Sequence, residues 1–227
     1  MRQGMPDEGH QSKRNFCIGL RERKKMKNIA VFASGNGTNL QAIIDNIAGG
    51  SLKANLALVV SDRRRAFALK RAKKAGIKTL YVDPGRFDTK QDYEKFVITH
   101  LKKEKIDLIV LAGFMRILSP FFVKKYKNRI LNIHPALLPA FKGGYAIKDA
   151  FRYGVKVTGV TVHLIDEKVD HGPIVLQEPV SILDTDSVEE LEERIHRVEH
   201  KVYSKAIARV LSAPLAIKGR KVVFLSK

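Results

Sequence analysis

Short apolar runs alternate with stretches in which apolar residues recur every three or four positions, from residue 27 to about residue 135. Such runs have the length of buried strands, and the periodic stretches have the length of amphipathic helices. We predict strands at residues 28–33, 55–60, 78–82, 108–112 and 130–133. We predict helices at about residues 40–48, 64–75 and 89–104, with a short one that begins at Ser119-Pro120. In the third of these helices the core-facing residues are expected to be Tyr93, Phe96, Val97 and Leu101. Strands that alternate with helices are joined by right-handed crossovers and form a mostly parallel sheet.

The pattern changes after Pro139. Two longer strands are predicted at residues 157–165 and 172–182, and a polar loop, Asp166–His171, joins them. Asp186-Ser187 caps a long helix that runs to about Leu211, and residues 216–225 form a terminal strand or hairpin. We therefore predict an α/β fold: a mostly parallel twisted sheet with flanking helices, Rossmann-like, with antiparallel strands in its C-terminal part.

Residues 27–227 are predicted to form a single domain with two halves, residues 27–135 and residues 136–227. Residues 1–26 are polar and lack a periodic apolar pattern, so we predict a disordered N-terminal extension.

The only cysteine, Cys17, cannot form a disulfide within one chain, which fits a reducing compartment. The sequence has neither an apolar run long enough to span a membrane nor a signal peptide. We expect a cytoplasmic protein.

The formal net charge of +19 leaves two interpretations open. It is compatible with a nucleic-acid-binding protein. The basic residues are spread along the whole chain, however, and aromatic residues make up only 7% of it, which favours a solvated basic surface. Either surface attracts small anions.

A glycine-containing segment, Ser34–Asn39, connects the first strand to the first helix. Glycine lets the backbone approach a ligand closely, and a helix start offers free N–H groups to an anion. The segment does not match the dinucleotide pattern GxGxxG, because Leu40 stands at the third glycine, and it lacks the lysine of a Walker A loop. A phosphate site is the prediction; a plain turn is the alternative.

Three segments are predicted to lie at one edge of the sheet, where the strands have their carboxyl ends and where such folds bind ligands. They are residues 35–39, residues 113–118 and His134. Asn132 and His134 are two residues apart on a strand, so both side chains lie on one face and can act on one atom. A carboxylate of the loop 166–172 could orient His134; an ordinary acidic turn is the alternative.

The segment His196–His200 matches H-x-x-E-H, a pattern typical of inverted zinc proteases. The sequence offers no acidic residue after Val210 that could supply a third ligand. We therefore predict that no metal is bound there.

Five motifs together resemble the phosphoribosylglycinamide formyltransferases, the folate-dependent enzymes of purine synthesis. They are SGNGTNLQAII at 34–44, LAGFMRILS at 111–119, LNIHPALLP at 131–139, GVTVHLIDEKVDHGPIVLQ at 159–177 and EHKVY at 199–203. The resemblance covers nearly all of residues 27–211. One departure follows LLP, where Lys142 and Tyr145 replace residues usual in the family.

The resemblance implies a role for each matched residue. The phosphate of glycinamide ribonucleotide would be held by Gly35, Asn36, Gly37, Thr38 and Asn39. The folate would be bound by Lys90, Met115, Arg116, Ile117, Leu118, Asp166, Glu167, Lys168 and Val169. Glu199 would contact the glycinamide end of the substrate. The catalytic group would be Asn132, His134 and Asp170.

The implied reaction is transfer of the formyl group of 10-formyltetrahydrofolate, a co-substrate, to an amine. Asn132 and His134 are expected to donate hydrogen bonds to the oxyanion that forms. Asp170 is expected to favour the imidazolium form of His134 and to fix its ring. The proton is expected to move through His134 or through a water held by Asp170.

Two related enzymes are the alternatives. Formyltetrahydrofolate hydrolase shares the HP-x-LLP core but has an N-terminal regulatory domain, for which residues 1–26 are too short. Methionyl-tRNA formyltransferase needs a C-terminal nucleic-acid domain, and only residues 212–227 follow the last predicted helix. We expect small-molecule substrates, no membrane or nucleic-acid partner, and a monomer or homodimer; a basic RNA-binding module is the non-enzymatic alternative.

Overall fold

The computed structural model describes Met1 and residues 26–225. The extension predicted at residues 1–26 therefore falls almost entirely outside the described residues. The strands are β1 (Asn28–Phe32), β2 (Asn55–Ser61), β3 (Thr79–Tyr81), β4 (Leu108–Leu111), β5 (Ile130–His134), β6 (Val157–Leu164), β7 (Ile174–Ser181), β8 (Leu215–Lys218) and β9 (Lys221–Phe224). The helices are α1 (Thr38–Ala48), α2 (Phe67–Lys74), α3 (Lys90–Lys103), α4 (Pro120–Lys125), α5 (Ala146–Tyr153) and α6 (Val188–Ser212).

The strands form one nine-stranded sheet in the order β3-β2-β1-β4-β5-β6-β7-β9-β8. Strands β1 to β5 are parallel. Strand β6 runs antiparallel to both β5 and β7. The terminal hairpin β8–β9 is joined to the sheet by a parallel pairing of β9 with β7. The predicted α/β fold and its antiparallel C-terminal part are confirmed.

Three local predictions are wrong. Helix α2 begins at Phe67, three residues later than predicted, because residues 62–66 form a loop. Helix α5 was not predicted; it buries Ala146 and Ala150 fully, and Ile147 and Phe151 pack on the core while partly buried. Phe96, predicted to face the core, is 42% exposed. Glu94 is buried in its helix instead, where its carboxylate accepts hydrogen bonds from the N–H (2.7 Å) and hydroxyl of Ser119.

Side chains of alternate strand residues pack into two hydrophobic clusters, one on each face of the sheet. Helices α1, α2, α5 and α6 contribute to the larger cluster, and α3 and α4 contribute to the smaller one. Leu131 and Ile133 point into the larger cluster, whereas Ile130 points into the smaller one. Asn132 and His134 therefore share the face of Ile130, next to the part of the sheet that α3 and α4 cover.

Tyr203 of α6 ties the helix to two neighbouring strands. Its hydroxyl lies 2.7 Å from the carbonyl oxygen of Leu111 and 3.1 Å from that of Leu131, and the side chain is fully buried. We expect Tyr203→Phe to lower the free energy of unfolding by about 1–2 kcal/mol, because a buried carbonyl loses its donor. Urea unfolding measures this loss. The control is Tyr153→Phe at an exposed tyrosine; equal midpoints for the two variants would contradict the expectation.

Within residues 26–225, no helix combines the length and the apolar character needed to cross a bilayer.

Candidate active site

Four polar side chains converge beside the C-terminal end of β5. His134 Nδ1 lies 3.5 Å from Asp170 Oδ2, so the two residues form an ion pair whenever the imidazole is protonated. Asp170 Oδ1 lies 3.7 Å from Nε2 of His163, and that nitrogen is 3.1 Å from Asn132 Nδ2. The structure thus brings together Asn132, His134 and Asp170, and it adds His163.

The pairing of β5 with β6 explains this cluster. In the antiparallel register, Asn132 is opposite His163 and His134 is opposite Thr161. Residues that are directly opposite in such a pair have their side chains on the same face, with Cβ atoms about 5 Å apart. Sequence reasoning missed His163. His163 lies two residues after Thr161 on a predicted strand. Only the register of β6 with β5 shows that this position is opposite Asn132.

Asp170 reaches the cluster from a loop that folds back over the sheet. Asp170 itself has a φ of 46°, a left-handed conformation that aspartate tolerates better than most residues. Gly172 allows the return, because a Cβ there would lie 1.8 Å from the carbonyl oxygen of Leu164. At the outer end of the loop, Asp166 accepts hydrogen bonds from Lys168 N (3.0 Å) and His171 Nδ1 (2.7 Å). The hydrogen bonds of Asp166 and the close packing at Gly172 therefore fix the shape of this loop.

The segment Ala140–Tyr145, which departs from the family pattern, contacts the cluster through its backbone. His134 Nε2 donates to the carbonyl oxygen of Phe141 at 2.8 Å. The N–H of Gly143 donates to Asp170 Oδ2 at 2.9 Å. Lys142 is exposed and Tyr145 is 73% exposed, so the two replaced side chains point away from these contacts.

Residues 136–139 form a fixed wall next to His134. The buried hydroxyl of Thr161 donates to Ala136 O (2.7 Å) and accepts from Leu138 N (3.0 Å). Gln177 Nε2 donates both to Leu138 O (3.0 Å) and to Thr161 Oγ1 (2.9 Å). Sequence reasoning missed these two anchoring residues, which lie on the neighbouring strands β6 and β7.

Burial controls the protonation of His134. It lowers the pKa of this imidazole below the ordinary value of 6.5, and it outweighs Asp170 and the Phe141 carbonyl, which both raise that pKa. Asp170 does favour the imidazolium form, as expected, but burial outweighs it, so the expectation that His134 donates as an imidazolium is wrong. Burial raises the pKa of the Asp170 carboxyl. Interactions with His163, the Gly143 N–H and His134 lower this pKa by a larger amount, so it lies below the ordinary value of 3.8. At neutral pH the pair is a neutral imidazole beside a carboxylate.

This assignment predicts a pH dependence of stability. Unfolded His134 takes up a proton near pH 6.5, whereas the folded form does so at lower pH, so the folded state loses stability as pH falls through that window. We expect the free energy of unfolding of the wild type, minus that of His134→Gln, to fall between pH 7.5 and pH 5.5 (about 2 pH units, spanning the histidine range). Titration of Asp170 lies below pH 3.8 and does not overlap. A difference that increases toward acid would show a raised pKa instead.

The glycine loop between β1 and α1 is held from outside by Arg71. This arginine donates to Asn36 O at 2.9 Å and to Asn36 Oδ1 at 3.0 Å. Gly37 has a φ of 75°, and a Cβ there would lie 2.8 Å from Ala68 Cβ, so the starts of α1 and α2 are packed closely. No side chain caps α1. Within residues 26–225, the N–H groups of Gly35, Asn36 and Gly37 donate to no protein acceptor.

The loop after β4 touches the same region. Ser34 N donates to Gly113 O at 3.0 Å, and the Ser34 hydroxyl accepts from Met115 N, also at 3.0 Å. The predicted common edge of the loops after β1, β4 and β5 is therefore present in the structure.

Glu199 connects the glycine loop to α6. Its Oε2 accepts from Asn39 Nδ2 at 3.0 Å and lies 2.9 Å from His196 Nδ1, and the residue is buried. The charge of the Glu199 carboxylate also raises the pKa of His134. The H-x-x-E-H pattern thus gives a His–Glu pair, and no group of three or more metal-ligating side chains occurs within residues 26–225.

The predicted folate residues border an open region. Met115 and Ile117 are 72% and 65% exposed, although both are apolar. The Arg116 guanidinium lies over the Tyr93 ring at 5.3 Å, and Leu118 packs on the smaller hydrophobic cluster. In the opposite loop, Val169 is half exposed, and Glu167 and Lys168 are exposed. Lys90 is exposed at the first position of α3.

Comparisons with known proteins agree with this geometry. A family model described as formyl transferase matches residues 27–207. The chain is 42% identical to phosphoribosylglycinamide formyltransferase of Bacillus subtilis over 82% of its own length and 95% of the relative. Glycinamide ribonucleotide transformylase 1 from Symbiobacterium toebii superposes with a TM-score of 0.85 at 43% identity, covering 88% of this chain and 95% of that one.

A formyltetrahydrofolate deformylase from Pseudomonas syringae is also similar, but less so. It has 26% identity and a TM-score of 0.81, and the match covers 89% of this chain and 67% of that one. The identity values and the coverage both favour the first two relatives. The chain belongs to the formyl transferase family and, within it, to the phosphoribosylglycinamide formyltransferases.

Proposed function

We propose that this protein transfers the formyl group of 10-formyltetrahydrofolate to the amine of glycinamide ribonucleotide. The single observation that carries the proposal is the group of buried His134 with partly buried Asn132 and Asp170, beside a glycine loop whose N–H groups meet no acceptor among residues 26–225. A phosphorylated amine needs an anion site and a proton acceptor near each other, and Glu199, which accepts a hydrogen bond from Asn39 of the loop, also raises the pKa of His134.

The glycine loop, residues 35–39, holds the substrate phosphate in this proposal. Unpaired backbone N–H groups at the start of a helix bind phosphate through hydrogen bonds and the helix dipole. Arg71 occupies the acceptor oxygens of Asn36, which leaves the side-chain amide of Asn36 free as a donor. Glu199, a carboxylate buried next to Asn39, accepts hydrogen bonds from the glycinamide end.

The formyl donor lies between the two loops that carry the predicted folate residues. Met115, Ile117 and Val169 expose apolar surface there, which suits the flat apolar part of a folate. Arg116 and Lys90 supply positive charge for the carboxylates of its tail. The loop of residues 166–170 borders the polar edge of the ring in this proposal.

His134 serves as the proton carrier, and Asn132 stabilises the oxyanion. As the substrate amine attacks the formyl carbon, a new C–N bond forms and Asn132 donates to the developing oxyanion, which is worth roughly 3–4 kcal/mol. Neutral His134 takes the proton from the attacking nitrogen, and the Asp170 carboxylate stabilises the imidazolium that results. His134 then delivers this proton to the folate nitrogen as its bond to the formyl carbon breaks.

The test follows folate product with purified protein, 10-formyltetrahydrofolate and glycinamide ribonucleotide, in reactions with and without the amine. The proposal expects release that depends on the amine and saturates with it. Release at the same rate without the amine would instead indicate the hydrolase, and formylation of charged initiator tRNA would indicate the tRNA enzyme.

A further inference from the structure

The loop between β2 and α2, residues 62–66, places two arginines against the glycine loop. A cavity of about 580 Å³ is lined on one side by Ser34, Gly35 and Asn36 and on the other by Arg63, Arg65 and Phe67. The loops are connected, since Ala68 N donates to Gly35 O at 3.1 Å. The same cavity therefore holds free backbone N–H groups and two guanidinium side chains.

Adjacent arginines of this loop point to different places. Arg64, which lies between Arg63 and Arg65 in sequence, lines a separate cavity with Arg86, Tyr81 and Phe87. Arg63 and Arg65 both line the cavity of the glycine loop, and they lie on a tight turn that a hydrogen bond from Ala66 N to Arg63 O (3.1 Å) closes. The loop thus contains two arginines at the candidate phosphate site and one arginine away from it.

The charges around the cavity favour an anion. Asp62 is its acidic neighbour, and its carboxylate is already engaged by the Ser34 hydroxyl (2.6 Å) and faces Arg63 Nε at 3.7 Å. Arg65 forms no ion pair with any acidic side chain among the described residues. Guanidinium groups bind phosphate oxygens in pairs, which gives both charge and orientation.

We propose that Arg63 and Arg65 form the second wall of the phosphate site and recognise the phosphate monoester of the amine substrate. The inference rests on the proposed function for the identity of that substrate. The glycine loop supplies hydrogen-bond donors but no formal charge, and the two arginines supply the charge. They also attract the anionic substrate from solution, an effect that salt weakens.

The test compares Arg63→Gln, Arg65→Gln and the double variant with Arg64→Gln, which removes the same charge from the same loop. We expect the double variant to raise the KM for glycinamide ribonucleotide about tenfold at low salt, and each single variant about threefold, as exposed charge pairs allow. The kcat and the KM for the formyl donor stay within about twofold, and Arg64→Gln behaves like the wild type.

A second readout does not depend on the reaction. Inorganic phosphate should raise the melting temperature of the wild type and of Arg64→Gln, and this stabilisation should be lost in the double variant. If formyl transfer fails but phosphate stabilisation shows this pattern, the proposed function is wrong and the phosphate wall stands. Equal KM and phosphate stabilisation in the double variant and the wild type, or an equal loss in Arg64→Gln, would overturn the inference.

Discussion

Replacing His134 by alanine is expected to lower kcat by about 10²- to 10⁴-fold, because the reaction loses the group that carries its proton. The fold should persist, since only one side-chain hydrogen bond, from Nε2 to Phe141 O, is lost. Steady-state kinetics with both substrates measure kcat, and circular dichroism with thermal melting checks the fold.

The matched control for this variant is His100→Ala. His100 is a partly exposed histidine on α3 whose ring packs on Phe96, far from the cluster along the chain. Its kcat should stay within about twofold of the wild type, as for surface substitutions in general. Turnover near the wild-type rate in His134→Ala would remove His134 from the mechanism.

Replacing Asp170 by asparagine is expected to lower kcat by a similar factor of about 10²- to 10⁴-fold, because the imidazolium formed in the reaction loses its counter-charge. Asparagine has the same shape, and its carbonyl oxygen can still accept from the N–H of Gly143, so the loop should keep its position. The KM for each substrate should therefore change much less than kcat.

The control for charge alone is Asp184→Asn. Asp184 is an exposed carboxylate that pairs with Lys156, and its loss should leave kcat unchanged. A second signature is the pKa of His134 itself, which the Asp170 carboxylate raises and which should fall further in Asp170→Asn. NMR titration of the imidazole follows this shift; a normal kcat in Asp170→Asn would show that the carboxylate only shapes the loop.

The sheet could be predicted from the sequence because its strands are short, apolar and bounded by polar loops. The strand boundaries of β1, β2, β4 and β5 differ from prediction by one residue at most. Asn132 and His134 could be placed together for the same reason, since the two-residue period of a strand is a local property. The loops after β1, β4 and β5 could be placed at one edge of the sheet because these strands were predicted to be parallel.

What the sequence could not provide depends on contacts between distant parts of the chain. His163 enters the cluster only through the register of β6 with β5, which no local pattern encodes. The predicted protonation state of His134 was wrong, because burial outweighs the effect of the Asp170 charge. Burial is a property of the folded chain. Arg63, Arg65 and Arg71 lie at the glycine loop because the starts of α1 and α2 pack together.

The most direct test of formyl transfer follows the formyl carbon itself. The protein is mixed with 10-formyltetrahydrofolate labelled with carbon-13 in the formyl group and an excess of glycinamide ribonucleotide, and the label is followed by NMR. We predict that the label moves from the folate to the amide of the formylated ribonucleotide, and that it does so only slowly in His134→Ala. Label that appears as free formate, at a rate independent of the amine, would contradict the account.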